Sequence, residues 1–589
     1  MDYKTLSSLK PGEFEDAADG YRDTSDMAGA ARDRVEKQVG AKMREALVGK
    51  APNKALGQLA ELAKNFHYIE TECGLISTAL NALASDLRAA KKKLDGAVED
   101  ARAAHFTVEP DGSVRYPAGG DEVDGEEPEG GTVVGTTQEQ TRTEYDQAAR
   151  AAPNPNRARA QEFADRIAAA VQEATEADEK WAPKLRHLRA DDDLEVSYAD
   201  WADVQKDMGG VRKSAEEYLD GIKEPPGNGS PKENAAWWKG LSEDERADYV
   251  SLHPASVGKM DGIPADVRDD ANRVVLAEKR GQYEMKLAAI GPEPWPKYVN
   301  GGGQVGMVQS DEWIAWHKKA KPYIDSIDGM KAIENRFAST GRNGLPPAYL
   351  MRFSPEGNGR AIVANGNPDT ADHTAVYVPG TTSNLGKIDG DLERSNSLWR
   401  STQSLDPDSK VSTITWLGYD APQDIVKDSP QSHYADEGAP AFNRFMDGLA
   451  AANTTDSGGH HTAVGHSYGT TLIGSAARQG ELNADDVVFA GSPGVQVGEA
   501  SELDVPKGHV WNEEAEGDAV PDIGRYGHGG SQWNIGGGTQ LIPSDDAFGA
   551  RQMQTDTEGH SDYWSPGSRS LRNQAAVVIG EYGRVTIED

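Results

Sequence analysis

The sequence predicts a doubly wound α/β domain, a mostly parallel sheet with flanking helices, preceded by a largely α-helical N-terminal region. Three observations predict it. Short apolar runs at 374–378, 461–464 and 486–490 alternate with helix-spaced segments, as buried parallel strands joined by crossover helices do. At one strand-to-helix junction stands Gly465-His466-Ser467-Tyr468-Gly469. Far ahead of these, Ile76, Leu80, Leu83, Leu87, Ala90, Leu94, Ala97 and Ala101 keep the four-three spacing of a long packed helix.

The glycine-bracketed serine reads as a nucleophile elbow. A sharp strand-to-helix turn lifts the Ser467 hydroxyl clear of the sheet, and flanking glycines let the two backbones approach. The pattern is weak by itself in a chain with 64 glycines. Its context strengthens it: a buried-strand run precedes it, and a run rich in Ala, Gly, Leu and Ile, suited to a helix on a sheet, follows it.

An elbow requires a carboxylate and then a histidine further along the chain. After the apolar run at 486–490, residues 508–512 begin another strand, and Asp518 follows at its carboxyl end, where side chains of an open α/β sheet face the ligand crevice. Asp518 is the expected acid, with Asp522, Glu513 and Glu514 competing among 96 acidic residues. His560, in Gly559-His560-Ser561-Asp562-Tyr563-Trp564 ahead of a final helix at 570–582, is the expected base, with His528 as the fallback among 13 histidines. The oxyanion would be held by the backbone N–H groups of Tyr468 and of Thr381, in the turn Pro379-Gly380-Thr381 after the strand at 374–378.

Residues from about 345 to 589 resemble an actinobacterial α/β-hydrolase family long catalogued as a domain of unknown function. The resemblance rests on 376–381 (Val-Tyr-Val-Pro-Gly-Thr), 415–422 (Thr-Trp-Leu-Gly-Tyr-Asp-Ala-Pro), 465–469, 491–495 (Gly-Ser-Pro-Gly-Val) and 559–564. It implies an α/β-hydrolase fold with Ser467, Asp518 and His560 as triad, and no particular substrate. Trp416, Tyr419, Tyr468, Tyr563 and Trp564 are expected to give an aromatic cleft or to pack, and an apolar acyl or aryl substrate portion follows from the first alternative.

The helical segment from Trp237-Trp238 through Ser242, His253-Pro254 and Asn272-Arg273 also resembles a region that often precedes this hydrolase. Ser242 with Glu243, Asp244 and Glu245 makes a capping box with acids in the first turn, and the tryptophans are expected to be buried.

Further forward, Met27, Ala31, Val35, Val39 and Met43 are the expected partner face of the long seam, with the break at 49–53. Two such helices resemble the hairpins of WXG-type proteins and type VII secretion substrates, although Leu47 stands where that motif has tryptophan. The expected organisation is a helical hairpin plus a β-hairpin around Asp111-Gly112 (1–117), an acidic disordered linker (118–137), a helical segment (138–222), a helical region (223–344) and the hydrolase (345–589).

A length of 589 residues suits more than one domain. The formal charge of −35 and a pI near 4.8 argue against nucleic acid or anionic lipid as partners. No run approaches the ~20 apolar residues of a membrane span, and no basic-then-apolar leader opens the chain, so stable membrane insertion and ordinary secretion are not expected. A cytoplasmic place is expected, with type VII-like export as the alternative. The lone Cys73 excludes an internal disulfide and cysteine zinc sites. Asp389, Asp391 and Glu393 are either a solvated acidic loop or, less simply, a calcium site. No phosphate loop or dinucleotide fingerprint occurs, and no cofactor or metal is expected. These readings lead to a serine hydrolase acting on a small-molecule ester or acyl substrate. The alternative is a delivery or interaction protein whose helical half binds a protein partner.

Overall fold

The computed structural model describes residues 1–188, 195–301, 306–531 and 540–588. They form two compact units, one of Met1–Gly29, Tyr68–Leu194 and Val204–Glu224, the other of Ala30–His67, Glu195–Asp203 and Pro225–Asp589. Residues 189–194 of the expected helical segment lie outside the described residues. Among those described, no helix is long and apolar enough to cross a membrane.

The first unit is built on helices α1 (Gly12–Asp33), α2 (Lys50–Ala103) and α3 (Asn156–His187), the first two of which also supply residues to the second unit. The four-three seam of α2 is inside, from Leu80 through Ala101. Its neighbours are α3 as well as the expected preceding helix. Trp181 and Arg166 of α3 donate to Asp86 (2.8 Å) and Asp100 (2.6 Å) of α2, and Ser25 of α1 donates to the Glu70 carbonyl (2.7 Å). Of the expected partner face, Ala31, Val35 and Met43 are half-buried and Met27 is 72% exposed, while Ala18 and Ala28 of α1 are buried, so that face is used only in part. A π-helical turn at Arg34–Gly40 then shifts the phase of the repeat, and Val39 stands in solvent. The helix break falls at 47–49, with Pro52 in the first turn of α2, where its missing N–H costs nothing.

The hairpin at Asp111-Gly112 is a three-stranded antiparallel sheet, Thr107–Val108, Val114–Tyr116 and Gly131–Val133. The stretch expected to be a disordered linker therefore ends in a strand. Buried Val133 anchors it, and Asn154 Nδ2 donates to the carbonyls of Pro117 (2.9 Å) and Glu129 (3.0 Å).

The second unit holds an eight-stranded sheet: β1 (Ala348–Ser354), β2 (Arg360–Asn365), β3 (His373–Val378), β4 (Val411–Leu417), β5 (His460–His466), β6 (Asp486–Ala490), β7 (Val510–Glu513) and β8 (Arg551–Gln552). Their spatial order is β8-β7-β6-β5-β3-β4-β2-β1. β3 through β8 pair in parallel, and β2 pairs antiparallel with both β4 and β1. Alternate residues of β3 face opposite layers. Val376 and Val378 pack with α7 (His433–Ala452) and α8 (Tyr468–Gln479) through Phe442, Leu472 and Ile473. Ala375 and Tyr377 pack with α6 (Ile388–Leu405) and α10 (Arg569–Val578) through Leu398, Ala575 and Val578. Helices on both faces explain why these strands are continuous apolar runs.

The region 223–344 is part of this unit rather than a module ahead of it. Helices α4 (Ala265–Ile290) and α5 (Asp311–Phe337) set Leu276, Met330 and Ile333 against Leu350, Val363 and Leu417. A bulge between Leu350 and Arg352 frees backbone groups of Leu350, which α4 satisfies: Asp269 accepts from its N–H and Asn272 donates to its carbonyl, both at 2.8 Å. Trp237 and Trp238 are buried, and Ser242 and Glu245 form the reciprocal capping box.

Candidate active site

β5 ends at His466 and α8 begins at Tyr468, so the chain reverses at Ser467 alone. Ser467 adopts φ 53, ψ −129, a backbone region that non-glycine residues avoid and that persists only where surroundings enforce it. Three bonds do so: Ser467 N–H donates to the Ala490 carbonyl (3.0 Å), and both the N–H and hydroxyl of Thr470 donate to the Ser467 carbonyl (3.0 and 2.7 Å). Gly469 is required by space, since a Cβ there would lie 2.1 Å from the Val378 carbonyl oxygen. The Ser467 hydroxyl does not cap α8 and lines a cleft of about 590 Å³ at the carboxyl end of the sheet.

His560 lines the same cleft. Its Nδ1 lies 3.0 and 2.9 Å from the two carboxylate oxygens of Asp518, in the loop after β7. An Nδ1–H donating to Asp518 leaves Nε2 as the basic nitrogen. Burial works to raise the Asp518 carboxyl, but hydrogen bonds from His560, from Tyr563 Oη (2.7 Å) and from Val520 N–H (2.9 Å) outweigh it and hold the group below the usual carboxylate range. Asp518 thereby also accepts from the first N–H of the helix α9 (Val520–His528).

The competing residues are placed elsewhere. Asp522 is exposed beside Arg525, and Glu513 is buried against Gln574 (3.0 Å), its carboxyl pushed well up by burial. His528 donates to or accepts nothing from Asp518; its Nε2 is 2.6 Å from the Ser429 carbonyl, to which it donates.

The turn 379–382 reaches the serine. A Cβ on Gly380 would lie 2.7 Å from Ser467 Cβ and 3.1 Å from Tyr468 N. Thr382 N–H is taken by the Pro422 carbonyl, and the Thr381 hydroxyl lies 3.0 Å from that of Ser429. Thr381 and Tyr468 both line the cleft.

The aromatic cleft is not found. Among the five aromatic residues, Trp416, Tyr419, Tyr563 and Trp564 are buried in the layers and only Tyr468 lines the cleft. Large flat rings bury more area in a core than at a rim. The cleft is instead lined by the apolar Ile425, Pro430, Pro493, Val520 and Ile523 together with the polar Lys387, Asp391 and Arg394. Asp389 and Asp391 lie in the first turn of α6 rather than in a solvated loop; Asp391 is buried, accepting from Tyr377 Oη and Arg394 at 3.2 Å. Among the described residues no three metal-ligating side chains gather as a metal site.

The roles of two residues escaped the sequence reading. Tyr563 bonds Asp518, and its oxygen also accepts from Ala515 N–H (3.0 Å). His466, inside the glycine-serine motif, donates Nε2–H to the His560 carbonyl at 2.7 Å; burial, then the charge of Arg394, keeps it neutral far below the usual histidine range. Adjacency to Ser467 was the one available signal.

A family model described as alpha/beta hydrolase matches residues 354–527, which include Ser467 and Asp518. An uncharacterized protein of Mycobacterium bovis is 34% identical over 237 residues, which cover 85% of it and 38% of this chain. The chain belongs to the alpha/beta hydrolase family. Its sheet order and the serine at the end of β5 suit an alpha/beta hydrolase. An uncharacterized protein of Mycobacterium tuberculosis strain H37Rv is 28% identical over 388 residues, 60% of this chain. The match spans 56% of the length of that relative.

Proposed function

We propose that this alpha/beta hydrolase cleaves an ester or related acyl bond by a serine mechanism. The observation that carries the reading is the strained Ser467 turn, held in one cleft with a histidine whose Nδ1 is bonded to a carboxylate. Ser467 Oγ attacks the acyl carbon as His560 Nε2 takes its proton. Asp518 keeps the imidazole in the Nδ1–H tautomer and stabilises the imidazolium. Negative charge on the carbonyl oxygen is met by the N–H groups of Tyr468 and Thr381, the first at the positive end of α8. The tetrahedral species collapses, His560 returns the proton to the leaving oxygen, and the acyl group remains on Ser467. Water then repeats the sequence and releases the acid.

The test is turnover of a nitrophenyl acyl ester. Ser467→Ala and His560→Ala are expected to lose about 10⁴-fold or more in kcat, and Asp518→Asn about 10⁴-fold. Equal turnover by Ser467→Ala and the native chain would overturn the reading.

A further inference from the structure

From residue 345 onward, the large apolar side chains that stand exposed among the described residues are Ile425 (70%), Val426 (81%), Ile523 (71%) and Tyr526 (80%). All four sit on the two segments that border the Ser467 cleft, and Ile425 and Ile523 also line it. Elsewhere among the described residues of this part of the chain, side chains of this kind are buried or half-buried. Leaving four in water around one opening calls for an apolar occupant.

Both segments are built to present them. In the first, Asp424 Oδ1 accepts from the N–H groups of Val426 and Lys427 (2.9 Å each), and Asp428 Oδ2 accepts from Asp424 N–H (3.0 Å). This closes a tight turn with Ile425 and Val426 at its crest. In the second, α9 carries Ile523 and Tyr526 three residues apart on one face. Its first N–H, that of Val520, is accepted by Asp518 itself (2.9 Å), and its end is tied to the other segment by His528 and the Ser429 carbonyl (2.6 Å). The lip is therefore fixed to the same carboxylate that holds His560.

The bonds of the lip give the direction. The first segment is tied to the turn that carries Thr381: the Thr381 and Ser429 hydroxyls lie 3.0 Å apart, and the Pro422 carbonyl accepts from Thr382 N–H. In the serine mechanism that turn meets the oxygen of the acyl carbonyl. The lip therefore stands beside the acyl part.

We propose, resting on the serine-hydrolase reading, that the lip of Ile425, Val426, Ile523 and Tyr526 takes the far end of an unbranched acyl chain, making the enzyme selective for long-chain acyl esters. The cleft holds the carbons next to the scissile bond, and the lip covers those beyond it.

The test is kcat/KM for nitrophenyl esters with linear acyl chains of two to ten carbons, each below its aggregation concentration. The native chain is expected to gain up to about fourfold per added methylene over the longer members. Ile425→Ser/Ile523→Ser is expected to flatten that slope, and Tyr526→Ser to flatten it only for the longest chains. A native profile that falls beyond the acetyl ester, or variants that keep the native slope, would overturn the proposal. So would a rise with alcohol length in acetyl esters, or a rate increase confined to aggregated substrate, which would indicate docking on a lipid surface. Those outcomes leave ester hydrolysis intact; absence of turnover of every ester, with no labelling of Ser467, removes the parent reading and this one with it.

Discussion

His466 and His560 are joined by a 2.7 Å hydrogen bond from an imidazole N–H to a backbone carbonyl. The residue before the serine thus holds the loop that carries the histidine, so the two ends of the proposed proton transfer are fixed by one contact.

His466→Phe leaves the His560 carbonyl without that donor. The expected cost is about 1–3 kcal/mol in unfolding free energy, with a fall in kcat that exceeds any change in KM. Denaturant unfolding and steady-state kinetics check it; unchanged kcat in a folded variant would contradict it.

Gly491 has φ 58, and a Cβ there would lie 2.7 Å from Asp518 Oδ2 and 3.0 Å from His560 Nδ1. Gly491→Ala is expected to cost about 1–3 kcal/mol from backbone strain and to push the pair apart, lowering kcat at least about 10²-fold. The ratio of the two effects, read from thermal unfolding and kinetics, separates displacement of the pair from simple destabilisation.

Tyr563→Phe removes one donor from Asp518. A carboxyl held below its unfolded value adds stability that is fully present above the unfolded pKa of about 3.9 and is lost as pH falls through the folded value. The variant is expected to begin losing this contribution at a higher pH than the native chain during acid unfolding. Superimposable acid transitions would contradict it.

At the amino end of the sheet, Asp486 is fully buried and accepts from Trp511 (2.7 Å) and Tyr582 (2.7 Å), with His460 Nε2 at 2.9 Å and His509 Nδ1 at 3.0 Å. Burial works to lower the His460 pKa, but the bond and charge of Asp486 outweigh it and raise the group above the usual value. The sign follows: this contribution is present below the unfolded pKa of about 6.5 and is lost as pH rises through the folded one. Asp486→Ala is expected to destabilise by about 3 kcal/mol or more and to remove the loss of stability above neutral pH. Thermal melts from pH 5 to 9 check it.

The parallel strands were legible because strands buried on both faces carry apolar runs, and β3, β5 and β6 read that way, while β7 offered only Val510 and Trp511. Chain order led to Asp518 and His560, and the structure brings those two within hydrogen-bond distance. What their neighbours do was not legible. Trp416, Tyr563 and Trp564 surround the cleft in sequence but fill the layers, since a motif lists residues without saying which side of a strand or turn they take. The packing of α4 and α5 on the sheet, with α4 bonded to the bulge at Leu350, is a long-range relationship that no local pattern announces. The burial of Ala18 and Ala28 rather than Met27 depends on which helices pack together, which periodicity alone leaves open.

The central claim is that Ser467 is an activated nucleophile, and fluorophosphonate labelling followed by peptide mapping tests it most directly. The account predicts one labelled site, Ser467, with labelling abolished in Ser467→Ala and strongly slowed in His560→Ala. A folded native chain that takes no label, or takes it at another residue, would contradict it.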